Sequence, residues 1–363
     1  MTVSRLERRH DDRPVLVTGG CGFLGCNIAA ELAMRGRQVV AADNLSRAGA
    51  RINAEWLRRR FGNLIEIAVA DVRDPEAVDA LVAASAAVLH LAGQVAVTTS
   101  LAKPIEDFEI NARGTLNVLE AVRRLNPHAP VIFASTNKVY GRLLEDNAVH
   151  RVDGRYVPDA AHLAAGVSED APLDFHSPYG CSKGAADQYV RDYARVAGLR
   201  TVVLRMSCIY GPRQFGTEDQ GWIAHFLLQA ARGEPITIYG DGHQVRDALY
   251  VGDAVDAWIG AVDAIDRVGG QVFNLGGGPQ SALSLRELLA WIADHHGARP
   301  DVRMDTWRPG DQPWYVSDTR KISHALGWAP RTTLDAGLRA LDDWLAGAGI
   351  GAAPPHCLQE AQA

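Results

Sequence analysis

Val15-Leu16-Val17-Thr18-Gly19-Gly20-Cys21-Gly22-Phe23-Leu24-Gly25 is the stretch that decides the fold of this 363-residue chain. Val15 to Val17 is continuously apolar, follows Pro14 and ends on glycines, which is how a buried parallel strand reads. Gly19, Gly22 and Gly25 have the spacing G-x-x-G-x-x-G, and apolar residues then recur at helical intervals to about Arg35. In such a strand, turn and helix, one glycine makes the tight turn, one lets the backbone approach a pyrophosphate, and one lets the helix pack closely on the strand. The first helical N–H groups, at Phe23 and Leu24, then face the phosphates with the positive end of the helix dipole.

Outward from this stretch the same unit recurs. Gln38 to Ala42 reads as a second strand ending at Asp43, with Asn44 beside it. An acidic side chain there can accept both ribose hydroxyls and repel a 2′-phosphate, which favours NAD over NADP. Ile65 to Val69, Ala87 to Leu91 and Val131 to Ala134 read as further strands, separated by helical stretches such as Arg113 to Arg124. Asp71 and Val72 follow the third strand, where Asp71 either approaches the adenine or is a plain turn residue. His90, Leu91, Ala92 and Gly93 end the fourth strand and are expected along the cofactor cleft. Ser182 to Ala197 reads as a helix and Thr201 to Arg205 as a strand.

The alternation gives an α/β fold, a Rossmann-type doubly wound parallel sheet. Past it, the strands Ile236 to Tyr239 and Val272 to Leu275 mix with helices at Asp253 to Asp263 and Ser284 to His295, which suggests a smaller C-terminal α/β substrate-binding lobe. The expected division is a cofactor domain over 14–185, rejoined by 200–212 and about 248–275, and a lobe mainly over 186–346. Segments 1–13 and 347–363 are expected as flexible tails.

Composition narrows the function classes. Hydrophobic residues are 47% and charged residues 22%, ordinary values for a packed enzyme. A net charge of −6 with pI near 6.1 argues against a nucleic-acid partner. No run approaches the length of a membrane helix and the N-terminus lacks the apolar stretch of a secretory signal, so a cytoplasmic protein is expected. The five cysteines are scattered, with no C-x-x-C pair and no histidine cluster at zinc-ligand spacing. They read as buried thiols, and no metal is expected.

Tyr179 and Lys183 stand four apart at the start of a helix and share one face. The chain has nine tyrosines and only four lysines, so such a pair is unexpected by chance, and no other tyrosine here has a lysine four residues later. A phenol with a pKa of about 10 is a poor base at neutral pH, and a nearby ammonium favours the phenolate. The same ammonium can hold a nicotinamide ribose. In Phe133-Ala134-Ser135-Thr136-Asn137-Lys138-Val139-Tyr140, the Thr136 hydroxyl, preferred over Ser135, can hydrogen-bond a substrate oxygen as it becomes a carbonyl.

The glycine turn, Thr136 and the Tyr179/Lys183 pair together resemble the extended short-chain dehydrogenase/reductase family of sugar-nucleotide epimerases and dehydratases, over about Arg13 to Leu345. Longer strings, His90 to Ala96, Ser135 to Gly141, Leu173 to Tyr189 and Asp219 to Trp222, resemble its CDP-paratose 2-epimerase (CDP-tyvelose 2-epimerase) group. The resemblance implies bound NAD, transient oxidation of a sugar hydroxyl at C2, and a homodimer or homotetramer built on helices near Asp107 to Arg124 and Ser182 to Ala197. It further implies that Asn111 serves the cofactor, that Gln94, Asn137, Cys208 and Gln220 serve the substrate, and that Arg246 and Arg308 clamp its pyrophosphate. Planar guanidinium groups bind such oxygens bidentately.

Two departures sharpen the implied activity. The family's 4,6-dehydratases carry an Asp-Glu pair after the catalytic threonine, where this chain has Asn137 and Lys138, so dehydration is not expected. Many 4-epimerases carry an asparagine where Cys208 stands. The expectation is an NAD-dependent nucleotide-sugar epimerase acting at C2 of a nucleotide diphosphate sugar, a CDP-sugar favoured. The alternatives are a UDP-sugar 4-epimerase, with the same catalytic set, and a non-catalytic NAD-binding sensor. Base contacts are expected from the lobe around Phe215 to Trp222.

Overall fold

The first strand, β1 (Val15–Thr18), runs through the glycine turn into α1 (Phe23–Met34), followed by β2 (Val39–Asp43), α2 (Ala50–Phe61), β3 (Ile65–Val69), α3 (Pro75–Ala83) and β4 (Ala87–His90). Two short helices, α4 (Val97–Ala102) and α5 (Pro104–Phe108), then a π-helical turn at Glu109–Arg113 and α6 (Gly114–Leu125), precede β5 (Val131–Thr136). The hairpin β6 (Val149–Val152) and β7 (Arg155–Pro158) leads to the long α7 (Ser177–Val196), β8 (Thr201–Met206) and β9 (Cys208–Tyr210). The remainder is α8 (Trp222–Arg232), β10 (Ile236–Tyr239), β11 (Val245–Tyr250), α9 (Val251–Asp263), α10 (Ile265–Val268), β12 (Gln271–Leu275), β13 (Ala282–Ser284), α11 (Leu285–His296), β14 (Val302–Asp305), β15 (Trp314–Tyr315), α12 (Arg320–Leu326) and α13 (Leu334–Gly347). This computed structural model describes residues 12–47, 49–144, 148–308 and 310–348, so nearly all of the two expected tails, and Cys357, lie outside the described residues.

Seven strands form one parallel sheet in the order β12-β8-β5-β4-β1-β2-β3. The continuous apolar runs are explained by cover on both faces. Val15 and Val17 of β1 and Leu89 of β4 point toward α1, α2 and α9, while Leu16, Val88, Val131 and Phe133 point toward α3, α6 and α7. Each such side chain, fully buried, contributes about 1.5–3 kcal/mol relative to exposure. The strand order reverses between β1 and β4, so a crevice opens at their C-terminal ends, where ligands bind in open α/β sheets. The second lobe packs α8, α11 and α13 around β10 and β11, and covers that crevice from the other side.

Several expected boundaries shift, for physical reasons. The helix expected from Ser182 starts at Ser177, because Pro178 sits in the first turn, where its missing N–H costs nothing. Ser177 itself has φ 63°, in the left-handed region, and turns the chain sharply into α7. The single helix expected over Asp107 to Arg124 is broken into α5, the π-helical turn and α6, and the turn faces Asn111 inward. Among the described cysteines only Cys21 and Cys26 are buried; Cys181 is exposed on the outer face of α7, and Cys208 is partly exposed. No helix among the described residues is long and apolar enough to cross a membrane.

A buried ion pair ties α7 to the sheet. Arg205 of β8 donates from Nε and Nη2 to the Asp187 carboxylate of α7 at 2.9 and 3.0 Å, Ser135 of β5 donates to Asp187 at 2.7 Å, and neither charged group reaches solvent. Removing one partner of such a pair strands the other charge. Asp187→Ala should lower the free energy of urea unfolding by about 3–5 kcal/mol, and the double variant Asp187→Leu/Arg205→Met should recover part of it. A single variant within 1 kcal/mol of wild type (about the net worth of one hydrogen bond) would show that α7 is held by its apolar face alone.

Candidate active site

The glycine turn is shaped by what it must avoid. Gly19 has φ 68°, and a Cβ there would lie 2.8 Å from the Ala92 amide nitrogen of the neighbouring β4 loop. A Cβ on Gly25 would collide with the Gly19 carbonyl oxygen. The same is true of Gly20, which sequence reasoning passed over: its Cβ would sit 2.7 Å from the Val17 carbonyl and the Ala41 backbone. Gly22 caps α1 without any side chain, so the first N–H groups of the helix open into the crevice.

Asp43 closes this end. Its two carboxylate oxygens accept from the Cys21 N–H at 3.1 Å and the Leu45 N–H at 2.8 Å, which fixes the glycine turn against the end of β2. Burial raises its pKa, and these backbone bonds oppose the rise. Asp71 accepts two hydrogen bonds from the Arg73 guanidinium, at 2.9 and 2.7 Å, and one from Asn44 at 2.9 Å, and the Arg73 bonds hold its carboxyl well below the usual range. Of the expected cleft residues at the end of β4, His90 turns away: it is buried between Thr18 and Thr115, at 2.7 and 3.0 Å, and burial lowers its pKa to about 3, so it stays neutral.

The catalytic candidates meet where β5 and α7 approach. Thr136 ends β5, and Tyr179 and Lys183 occupy the first two turns of α7, all three buried. The Tyr179 N–H donates to Ser100 at 3.1 Å, which sets the height of the ring. Burial raises the phenol to about 12, a hydrogen bond with Thr136 and the Arg47 charge pull it down, and Asp107 pushes it up. The Lys183 ammonium lies 4.3 Å from the centre of the Phe133 ring, beside Gly93. Burial lowers its pKa to about 8, against the pull of Asp187 and Asp107.

Asn111 is placed one layer behind the cleft, not on its wall. Its side chain accepts from the Gln94 N–H at 2.9 Å and donates to the Gln94 carbonyl, Asp107 and Ser182 at 3.1, 3.2 and 3.1 Å. It therefore pins the loop after β4 to α7 and backs Gly93 and Gln94, which line the cleft. All the other site residues singled out from the sequence line a single cleft of about 810 Å³.

The far wall is basic side chains held by carboxylates. Arg246 of β11 reaches Asp311 at 2.6 Å. Arg308 lies 3.8 Å over the Tyr239 ring, donates to the Glu218 carbonyl at 3.0 Å and pairs with Asp219 at 3.4 Å. Cys208 accepts from the Trp222 indole at 3.4 Å, and Gln220 accepts from Arg47 at 3.2 Å across the cleft. Asn137 is buried beside Thr136, at 3.3 Å. Arg47 and Lys138 also line the cleft; the sequence singles out Lys138 only as a departure from the dehydratase pattern and Arg47 not at all, because only the fold brings them opposite Gln220 and Arg246. Away from the cleft, His295 and His296 both reach Asp342 at 3.2 Å and form a small ion-pair cluster at the end of α11.

Residues 15–276 match the NAD dependent epimerase/dehydratase family. The chain is 43% identical over 339 residues to the CDP-paratose 2-epimerase of Salmonella typhi, an alignment covering 91% of this chain and 98% of that one. The chain belongs to the NAD dependent epimerase/dehydratase family. Among solved structures it resembles a Thermus thermophilus UDP-glucose 4-epimerase in complex with NAD (32% identical, TM-score 0.77) and a Thermotoga maritima UDP-glucose 4-epimerase with UDP-glucose (29%, TM-score 0.79). Each alignment covers 92% of this chain and 99% of the other.

The residues present fit NAD, the cofactor of this family. A turn that any Cβ would fill, an uncapped helix N-terminus and the Asp43 carboxylate line the crevice in succession. NAD supplies a hydride acceptor and donor there. Asp43→Ala should lower the affinity for NAD by about tenfold or more, the worth of a charge-assisted hydrogen bond, measured by NAD released on denaturation of the purified protein. Wild-type NAD content in the variant would move the ribose contact to another residue.

Proposed function

We propose that this chain inverts C2 of a CDP-linked sugar through a transient 2-keto sugar. The observation that carries the reading is the 43% identity, over nearly the whole of both chains, to a protein named for that reaction, together with the Thr136–Tyr179 contact at the cofactor crevice. Tyr179 Oη takes the proton of the sugar hydroxyl as the carbon is oxidised and returns one after the sugar has presented its other face. Thr136 hydrogen-bonds the same oxygen, and Lys183 holds the nicotinamide ribose. Arg246 and Arg308 exchange their carboxylate partners for the substrate diphosphate, whose oxygens fit a planar guanidinium. No net redox change results.

The same reading assigns the protein to the cytoplasm, where a free exposed thiol such as Cys181 persists. It also assigns a homodimer or homotetramer. Ile105 and Phe108 of α5 and Val196 of α7 are 78%, 52% and 78% exposed, apolar side chains on the helices that a second copy would cover.

Tyr179→Phe should lower turnover by about 10²–10⁴-fold, the usual contribution of a positioned acid-base group, while NAD stays bound. Position is tested by labelling. Deuterium at C2 of the nucleotide sugar should slow turnover and be retained in an epimer whose inversion at C2 is read by NMR, with C4 deuterium a spectator. An isotope effect from C4 alone would replace the reading with 4-epimerisation, and full activity in Tyr179→Phe would remove the phenol from the chemistry.

A further inference from the structure

Lys138 stands in the turn that follows the catalytic threonine, and its N–H donates to Thr136 Oγ1 at 3.2 Å. The side chain lines the cleft, yet its partners are all long. Nζ is 3.5 Å from the Gly310 carbonyl, 3.5 Å from Gln312 Oε1 and 3.9 Å from Asp311 Oδ1. That same Asp311 oxygen takes the short bond from Arg246 at 2.6 Å. Two cations from different elements thus converge on one carboxylate oxygen, and charge balance favours an anion with more than one negative oxygen between them. The charged and titratable groups acting on the ammonium are Arg246 of β11, Asp311 and Cys208 of β9; burial and Arg246 lower its pKa to about 8, and Asp311 and Cys208 oppose them.

We propose that the Lys138 ammonium contacts substrate directly, holding the phosphate nearest the sugar and so presenting to Tyr179 the carbon next to the anomeric centre. The proposal rests on the C2 reading and explains it. In a nucleotide sugar, C2 is one carbon from the anomeric oxygen that bears the phosphate, whereas C4 lies across the ring. Chemistry at C2 therefore requires the phosphate close to the phenol. A cation two residues from Thr136 and in electrostatic contact with Arg246 provides that short span. Where the family's dehydratases have a carboxylate, as the resemblance implies, this chain has a group of opposite charge, suited to an anion.

The test uses the NAD-loaded protein and titration calorimetry with CDP, UDP and CMP, comparing wild type with Lys138→Met and Lys138→Arg. CDP or UDP should bind Lys138→Met about tenfold or more weakly, CMP should bind unchanged, and Lys138→Arg should restore the diphosphate. The ammonium loses its proton above about 8, so wild-type diphosphate binding should weaken as pH rises through that value, and Lys138→Arg should not show the loss. Equal diphosphate binding in Lys138→Met, an equal loss for CMP, or a wild-type protein that binds neither diphosphate would overturn the proposal. If the diphosphate effect appears but the isotope effect comes from C4, the phosphate contact stands and the C2 reading fails. If the isotope effect comes from C2 and Lys138→Met binds diphosphate normally, the Lys138 assignment alone fails.

Discussion

The pair between Asp187 and Arg205 is the constraint on which the geometry of the catalytic groups depends. Both charges are removed from water, which costs several kcal/mol for each ion, and only near-ideal geometry offsets that cost. Here it is met by two guanidinium bonds, the Ser135 hydroxyl and a bond from Arg205 to Tyr140 at 3.1 Å, with Tyr140 in turn donating to Asn274 of β12 at 2.7 Å. Four elements, β5, α7, β8 and β12, are joined through one polar cluster. Thr136 is one residue beyond Ser135, and Lys183 is one helical turn before Asp187. A shift of α7 along the sheet would therefore break the cluster before it separated Tyr179 from Thr136. The geometry of the candidate catalytic groups is held by a charge pair that lies outside the lining of the cleft.

The cleft itself solves a second electrostatic problem, how a chain of net charge −6 holds an anionic ligand. On its far wall it gives each of two guanidinium groups a carboxylate: Asp311 for Arg246 and Asp219 for Arg308. An unpaired guanidinium in a partly dry cleft would be costly, and a paired one can exchange a carboxylate for a phosphate with little change in its own solvation. Exchange also discriminates. In the function proposed above, a ligand with a single negative oxygen would replace one bond with an equivalent one, whereas a diphosphate would engage Arg246 and Arg308 at once.

The local parts of this arrangement are legible in the sequence, and the non-local parts are not. β1, the glycine turn and α1 are specified within about twenty residues by apolar runs, glycine spacing and helical period, and β3 and β10 fall on their expected residues. Tyr179 and Lys183 are legible because a spacing of four puts them on one face of α7. Their surroundings are not legible: spacing brings two side chains to one side of a helix but does not say that the Lys183 ammonium sits over Phe133 and beside Gly93. Asn111 is readable as a residue of the site, but its place behind Gly93 follows from a π-helical turn that no periodicity announces. Asp187, Arg47 and Lys138 matter through partners many residues away, and a lone charged residue in a helix or turn reads as solvated.

The phenol illustrates how such distant partners set reactivity. Tyr179 is pushed up to about 12, above the ordinary range of a phenol. Burial, the largest cause, comes from the same packing that fixes the ring against Ser100 and Thr136. The groups that lower the value are a neutral hydroxyl and a guanidinium at the rim, and together they do not overcome it. In the function proposed above, positive charge beside the phenol would bring it down from this value, which would couple its action as a base to the cofactor site. Asp107 works in the opposite sense, raising the phenol while its contacts with Ser182 and Asn111 order the start of α7.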